Sequence, residues 1–420
     1  MFGEPLSSNA SDLLEVVLAI YAADRDSLRD FSGERTGHRR FNLRIGLKSP
    51  RLWQSSTVQD ALLQLVNWVS GDDWAFEFVD IASQKKASLE PCLFNLPLER
   101  PLSVSLFSGG LDSLAGLADQ MQRDEAGGRV LVSIHTNNRL AAQQRLQVKR
   151  LRQSLDAKSL GSGSKIWHAS IRAGKRKHEG QREEKSQRLR ALLFLAVGAI
   201  AAVMAKTGEL WVYENGVGAL NLPLDATQLG VDNYRGVHPR SLMLFERLTD
   251  CVFPSGIRAI NPFLFKTKAE MCEALPSSGF ADVVKDTVSC DSFPLRISGV
   301  APQCGYCTSC VLRRQSLSAS GLGGLDDPSS YRYDVLGDRI DSKQRKHGLE
   351  VMQWQAFRIA AGLSSSNPWR ELCAEFPELA RTSVEIANRH SWEHGFVASQ
   401  LIGLYRRYSG EWQRHSSLTC

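Results

Sequence analysis

The chain has 420 residues, 43% hydrophobic and 23% charged, with a formal net charge of +6. That length exceeds one ordinary hydrophobic core and calls for two or three units, while the balance is that of a globular protein and excludes a disordered or fibrous chain. The mild positive charge admits anionic ligands but is too small to argue for nucleic acid.

In chain order, the opening "MFGEPLSSNASDLLEVV" has neither a basic leader nor a sustained apolar stretch, so no export signal is read in it. "RRFNLRIGL" (39–47) and "DDWAFEFVDI" (72–81) alternate like strands, and "TVQDALLQLVNWV" (57–69) between them has the spacing of an amphipathic helix. Residues 1–98 therefore read as a small α+β N-terminal extension without assigned chemistry.

"SVSLFSGGLDSLAGLAD" (103–119) places a glycine pair between a short apolar strand and the first turns of a helix. A strand-to-helix junction aims backbone N–H groups outward, the helix start carries partial positive charge, and glycines let a ligand approach the backbone closely. Ser108, Gly109, Gly110, Leu111, Asp112 and Ser113 thus form a candidate anion cradle. No lysine follows as in a Walker A loop, and the G-x-G-x-x-G spacing of dinucleotide sites is absent. The competing reading is an ordinary turn with a polar helix cap.

Beyond it, strand and helix patterns alternate. "RVLVSIHT" (129–136), "KIWHASI" (165–171) and "ELWVYENG" (209–216) read as strands, and 139–155 and 186–206 as helices. Such alternation argues for a parallel sheet covered by helices, with ligands at the carboxyl ends of the strands. The longest uncharged apolar run, Ala191 to Ala205, has 15 residues and is too short for a membrane span. No membrane partner and a cytoplasmic location are expected, and the nine cysteines are then expected to be thiols rather than disulfide staples. The stretch 172–190, dense in Lys and Arg, reads first as a solvated loop and alternatively as a lid over phosphates, with Arg188 and Arg190 the better placed for contacts. Glu214, Asn215 and Gly216 at a strand end read either as a hydrogen-bonding reader of a substrate or as a simple turn. His238, beside Pro239, is a further pocket candidate.

Cys290, Cys304, Cys307 and Cys310 form C-x13-C-x2-C-x2-C. Overlapping Cys-x-x-Cys units fit an iron–sulfur cluster or a redox pair, but a fourth cysteine on a nearby loop favours tetrahedral zinc, in a closed and hence structural site. "GGLDDPSS" (323–330) reads as a linker, and 321–420 as an all-α C-terminal domain whose Trp and Tyr stripes are core.

Ser-Gly-Gly-x-Asp-Ser after a strand resembles the PP-loop of the N-type ATP pyrophosphatases, which cleave ATP between its α and β phosphates. With Thr267-Lys268-Ala269-Glu270, Ser289-Cys290 and Cys304-Gly305-x-Cys307-x-x-Cys310-x-x-Arg313, residues 101–320 resemble the 7-cyano-7-deazaguanine synthase family (QueC). The resemblance implies an α/β fold for residues 99–320, a PP-loop/HUP-like parallel sheet with helices on both faces, and ATP, Mg²⁺ and Zn²⁺ as cofactors. It implies a deazapurine substrate, 7-carboxy-7-deazaguanine, activated as an acyl adenylate. Ammonia converts this to an amide, and a second ATP-dependent step gives the nitrile. The family's Gly-Tyr-Pro-Asp type of stretch is not present; "ENGVGALNLPL" (214–224) and "NYRGVHPRS" (233–241) stand in its place. The flanking extensions are also without counterpart. This enlarged pattern is similar to the QueC-like proteins of bacterial anti-phage operons (Qat and CBASS loci), in which a protein partner would accept the deazapurine.

Carried onto these positions, the resemblance has Ser108, Gly109, Gly110 and Ser113 hold phosphates and Asp112 bind Mg²⁺ or brace the loop, with helix capping as a compatible role. Lys268 would neutralise the leaving pyrophosphate, with Arg190 as a further cation. Two other functions fit parts of the pattern. A PP-loop tRNA-modifying enzyme is permitted by the basic stretches, but no aromatic-rich platform accompanies them. A zinc-stabilised nucleotide-binding scaffold without turnover would need no intact Asp112 or Lys268.

Overall fold

A computed structural model describes residues 5–30, 32, 37–81, 102–123, 127–158, 165–173, 182–184, 188–224, 235–295, 301–335 and 343–416. The alternating stretches near the N-terminus form β1 (Arg40–Leu47) and β2 (Asp73–Asp80), preceded by α1 (Ser8–Asp26) and joined by α2 (Pro50–Trp53) and α3 (Ser56–Ser70). The two strands pair in parallel, Arg40 opposite Asp73 and Leu47 opposite Asp80. Parallel neighbours need a crossover, and α3 supplies it by burying Leu62, Leu65 and Val66. Helix α1 was not anticipated from the sequence. Its Asp12 accepts from the amides of Lys48 and Ser49, both at 2.8 Å, which ties it to the end of β1.

The central unit runs β3 (Leu102–Leu106), α4 (Leu111–Arg123), β4 (Gly128–His135), α5 (Asn138–Lys158), β5 (Ile166–Arg172), α6 (Arg190–Met204), β6 (Glu209–Trp211), α7 (Gly216–Leu220), α8 (Pro239–Val252) and β7 (Arg258–Ile260). All five strands are parallel, in the order β5-β4-β3-β6-β7. Every residue of β4 is buried, which is why it reads as an unbroken apolar run. Successive side chains serve opposite faces: Val130 and Val132 join α1, α3, α6 and α8, while Leu131 joins α4 and α5. The sheet therefore carries helices on both faces. The chain winds outward from β3 in one direction, then returns to start again at β6, so the switch in strand order falls between β3 and β6. In open α/β sheets the crevice at that point is where ligands bind.

Strand β6 is shorter than the 209–216 expected. It stops at Trp211, and four residues on Asn215 caps α7, its side chain accepting from the Gly218 amide at 2.9 Å. Helix α6 is apolar on all sides and buried in the core. Among the described residues no helix is long and apolar enough to cross a membrane.

Then follow α9 (Lys268–Cys272), α10 (Ala274–Ser278), a 3₁₀ turn (Ala281–Asp286), α11 (Thr308–Ala319), and the C-terminal helices α12 (Lys343–Leu363), α13 (Pro368–Glu375), α14 (Glu378–His390) and α15 (His394–Ser416). The stretch read as a linker is packed. Asp326 accepts from the Tyr331 hydroxyl at 2.7 Å, and the same hydroxyl accepts from Arg313 Nε at 2.9 Å, which returns the chain onto α11. Tyr405, Tyr408 and Trp412 are core, as their helical spacing suggested, and share one cluster with Leu220, Leu222 and Val311. Trp354, Phe357 and Trp392 instead reach solvent.

Candidate active site

The apolar run of β3 delivers Phe107 into the core, and Ser108 to Ser113 follow at the carboxyl edge of the sheet. Gly109 adopts φ +86°, a left-handed conformation open to glycine, and a Cβ there would lie 3.2 Å from Gln144 Cγ. The loop is braced from two sides. From α5, Gln144 Nε2 donates to the Ser108 carbonyl at 3.0 Å, and Gln147 Nε2 donates to the Gly109 carbonyl at 2.8 Å and the Asp286 carbonyl at 2.7 Å. From the other side the Val288 amide donates to the same Gly109 carbonyl at 3.1 Å. The Ser108 hydroxyl accepts from the Gly110 amide at 3.1 Å and lies 3.3 Å from the Ser113 hydroxyl. The Ser113 hydroxyl donates to the Gly110 carbonyl at 2.9 Å, so the loop is fixed from within as well, and the start of α4 behind it turns partial positive charge toward an anion.

Two further segments converge on Asp112. Lys268, the first residue of α9, forms an ion pair with Asp112 Oδ2, and Asn215 Nδ2 donates to Oδ1 at 3.0 Å. Asn215 also donates to Glu214 Oε1 at 2.8 Å. Lys268 is only 6% exposed and Asp112 16%. Burial opposes the ammonium charge, but Asp112 and Glu214 more than offset it, so the Lys268 pKa stands above its ordinary value. Burial, and then the adjacent Asp112 charge, lift the Glu214 carboxyl well above the ordinary range. Gly216 is obligatory here: a Cβ would fall 2.1 Å from the Leu264 carbonyl. The cluster presents a cation, a carboxylate and an amide beside an anion cradle.

Cys290, Cys304, Cys307 and Cys310 come together with all four sulfurs within 4.8 Å of one another. Cys304 Sγ and Cys310 Sγ are 3.9 Å apart, close to the ~3.8 Å edge of a tetrahedron with ~2.3 Å zinc–sulfur bonds. Amides of Cys304 and Cys307 each donate to a cluster sulfur at 3.3 Å, which favours thiolates. The donor set fits zinc. The cluster is coupled to the glycine loop by three consecutive residues: Val288 holds Gly109, Ser289 Oγ faces the Leu111 amide at 3.5 Å, and Cys290 is a ligand candidate. Buried Arg313 braces the same segment through Thr287 and the Val284 carbonyl.

The remaining candidates make other contacts. His238 caps α8, its Nδ1 accepting from the Arg240 amide at 3.1 Å, and packs on Trp68, with ring centroids 5.5 Å apart. Burial and the neighbouring Arg235 and Arg240 push it down to about 3, so it is neutral. Arg190 opens α6 with its guanidinium 5.0 Å from the Phe194 ring centroid, and Arg188 donates to the Ser70 carbonyl at 2.9 Å. Residues 174–181 and 185–187 of the basic stretch lie outside the described residues. Sequence reasoning passed over Gln144 and Gln147. Their only signal was a run of glutamines, Gln143, Gln144 and Gln147, within a helix otherwise rich in Arg.

A parallel sheet with a glycine loop at its switch point and a four-cysteine cluster tied to that loop is consistent with a PP-loop/HUP-like fold. A stretch of 88 residues, 21% of the chain, is 34% identical to a 7-cyano-7-deazaguanine synthase of Methanothermobacter thermautotrophicus and supports a QueC-like relationship. The chain covers 35% of that relative's length. No family model matches the chain.

Proposed function

We propose that the protein is an ATP pyrophosphatase that adenylates the carboxylate of a 7-carboxy-7-deazaguanine-type substrate. The observation that carries this reading is the convergence of the glycine loop, the Asp112–Lys268 pair and Glu214–Asn215 at one point of the sheet edge. Similarity to a 7-cyano-7-deazaguanine synthase supports it. Backbone and hydroxyl donors of Ser108 to Ser113 hold the β and γ phosphates. The substrate carboxylate attacks the α phosphorus, the bond to the bridging oxygen breaks, and pyrophosphate leaves with its negative charge offset by Lys268. Asp112 is the residue that would hold Mg²⁺, which supplies further charge neutralisation when bound. Glu214, protonated by its surroundings and held by Asn215, reads the polar edge of the purine-like ring. Zinc in the cysteine cluster is structural. No protein nucleophile is needed, since orientation of two bound reactants supplies much of the rate.

The acyl adenylate then passes to an amine. Ammonia would give the amide and, with a second ATP, the nitrile; an amino group of a partner protein would give a conjugate. The N-terminal and C-terminal units beside the sheet supply surface for a protein acceptor and favour the second route, with a role in bacterial anti-phage defence.

The test is ATP turnover with purified full chain, 7-carboxy-7-deazaguanine and Mg²⁺, separating AMP and pyrophosphate from ADP and phosphate. Substrate-dependent AMP that disappears in Asp112→Ala is expected. ADP in its place, or no AMP from this substrate, would overturn the reading.

A further inference from the structure

Helix α9, which carries Lys268 in its first position, has only five residues. So short a helix has little stability of its own and depends on its cap and on packing. Its cap is Thr267: the hydroxyl accepts from the Glu270 amide at 3.2 Å, and Glu270 Oε2 accepts from the Thr267 amide at 2.7 Å. That arrangement requires the hydroxyl proton to point elsewhere. It is donated to Glu411 Oε1 of α15 at 2.6 Å, some 144 residues away in the chain. Glu411 is 4% exposed and Thr267 is fully buried. The other Glu411 oxygen lies 3.5 Å from Gln315 Nε2 of α11, the helix that begins at the cysteine cluster. Arg407, one turn earlier on α15, pairs with Glu270 Oε1 at 2.8 Å and donates to the Phe265 carbonyl at 2.7 Å. Thus α15 grips both the cap and the third residue of the turn that aims Lys268.

We propose that Glu411 is a positioning residue for Lys268, acting through the Thr267 hydroxyl, so that the C-terminal helices complete the nucleotide site. The inference rests on the reading of Lys268 as the cation opposite the leaving pyrophosphate. Glu411 touches neither substrate nor reacting atoms. Burial lifts its carboxyl to about 7, a cost that an apolar residue in a merely packed helix would avoid.

The experiment uses the full chain and three substitutions. Glu411→Leu removes the acceptor, Thr267→Val removes the hydroxyl from the other side, and Glu411→Gln keeps an acceptor oxygen. Each is checked by circular dichroism. The first readout is competitive acetylation with acetic anhydride, followed by peptide mass spectrometry with Lys285 as the exposed internal reference. Lys268 labelling is expected to rise several-fold in Glu411→Leu and Thr267→Val and to stay within about twofold of the parent in Glu411→Gln. The second readout is AMP formation: kcat falls roughly tenfold or more in the first two variants with the KM for ATP little changed, and Glu411→Gln recovers most of the rate. Should Glu411→Leu not fold, Thr267→Val decides. Folded variants with parental Lys268 labelling and parental kcat would overturn the proposal, as would a Glu411→Gln protein as impaired as Glu411→Leu. A parent that forms no AMP overturns the adenylating reading instead and leaves the labelling comparison to judge the positioning claim.

Discussion

The Asp112–Lys268 pair offers the sharpest quantitative test, because removing one charge from a buried pair costs far more than removing both. Lys268→Met would leave Asp112 with the Asn215 amide as donor and with Glu214 close by, two carboxyl groups without their cation. Stranding a buried charge in this way costs about 3–5 kcal/mol. Asp112→Ala strands the ammonium, but Glu214 remains beside it, so the cost falls at the low end, about 3 kcal/mol. The double variant buries neither charge and is expected to lose only about 1–2 kcal/mol, giving a coupling of several kcal/mol. For a unit of this size each kcal/mol moves the melting temperature by roughly 2–4 °C. Lys268→Met should therefore melt about 10 °C below the parent, and the double variant well above Lys268→Met. Scanning calorimetry on the parent and the three variants measures this directly. Shifts that add within the error of about 0.5 kcal/mol would refute the pairing as a buried, mutually dependent unit. AMP formation should be lost in all three variants, so stability and activity part company in the double variant.

Three further outcomes follow from the same geometry. Glu411, whose folded value near 7 lies above the ordinary 4.5, favours the fold when protonated; that contribution is present below about pH 4.5 and lost as pH rises to about 7. Glu411→Gln should flatten the fall in melting temperature across that window, a term on the order of 3 kcal/mol. Purified protein should hold about one zinc per chain by elemental analysis, and Cys304→Ser should lose it together with ATP affinity, since Val288 and Ser289 link the cluster to the loop. Gly109→Ala forces a side chain into the left-handed region and should cost about 1–2 kcal/mol, with weaker binding of pyrophosphate in calorimetric titration.

What the sequence disclosed depended on how local the determinant was. Strand β4 and helix α3 announced themselves because burial on both faces, or on one, writes itself into the order of apolar residues. The glycine loop was legible for the same reason: strand, glycine pair and helix start are consecutive. Asp112 and Lys268 were each nominated from separate motifs, but their ion pair exists only once α9 is folded against α4. Period-two alternation marked β1 and β2 equally well for parallel or antiparallel pairing, so their parallel register was invisible. His238 before Pro239 reads alike as pocket lining or helix cap; only the burial beside Trp68 shows where it lies. Glu411 looked like any acidic residue on an amphipathic helix, since nothing in the neighbouring residues reveals that it faces inward at Thr267.

The long reach of α15 has a consequence for biosynthesis. Leu220 and Leu222 find their core partners Leu404, Tyr405 and Tyr408 only near the end of the chain, as Thr267 finds Glu411. A ribosome adding roughly 5–20 residues per second needs on the order of ten seconds to go from one to the other. During that interval the sheet and its glycine loop can close while the Lys268 turn still lacks its partner. The nascent chain is thus expected to acquire a phosphate cradle well before it acquires an aligned Lys268, which waits until α15 has left the exit tunnel.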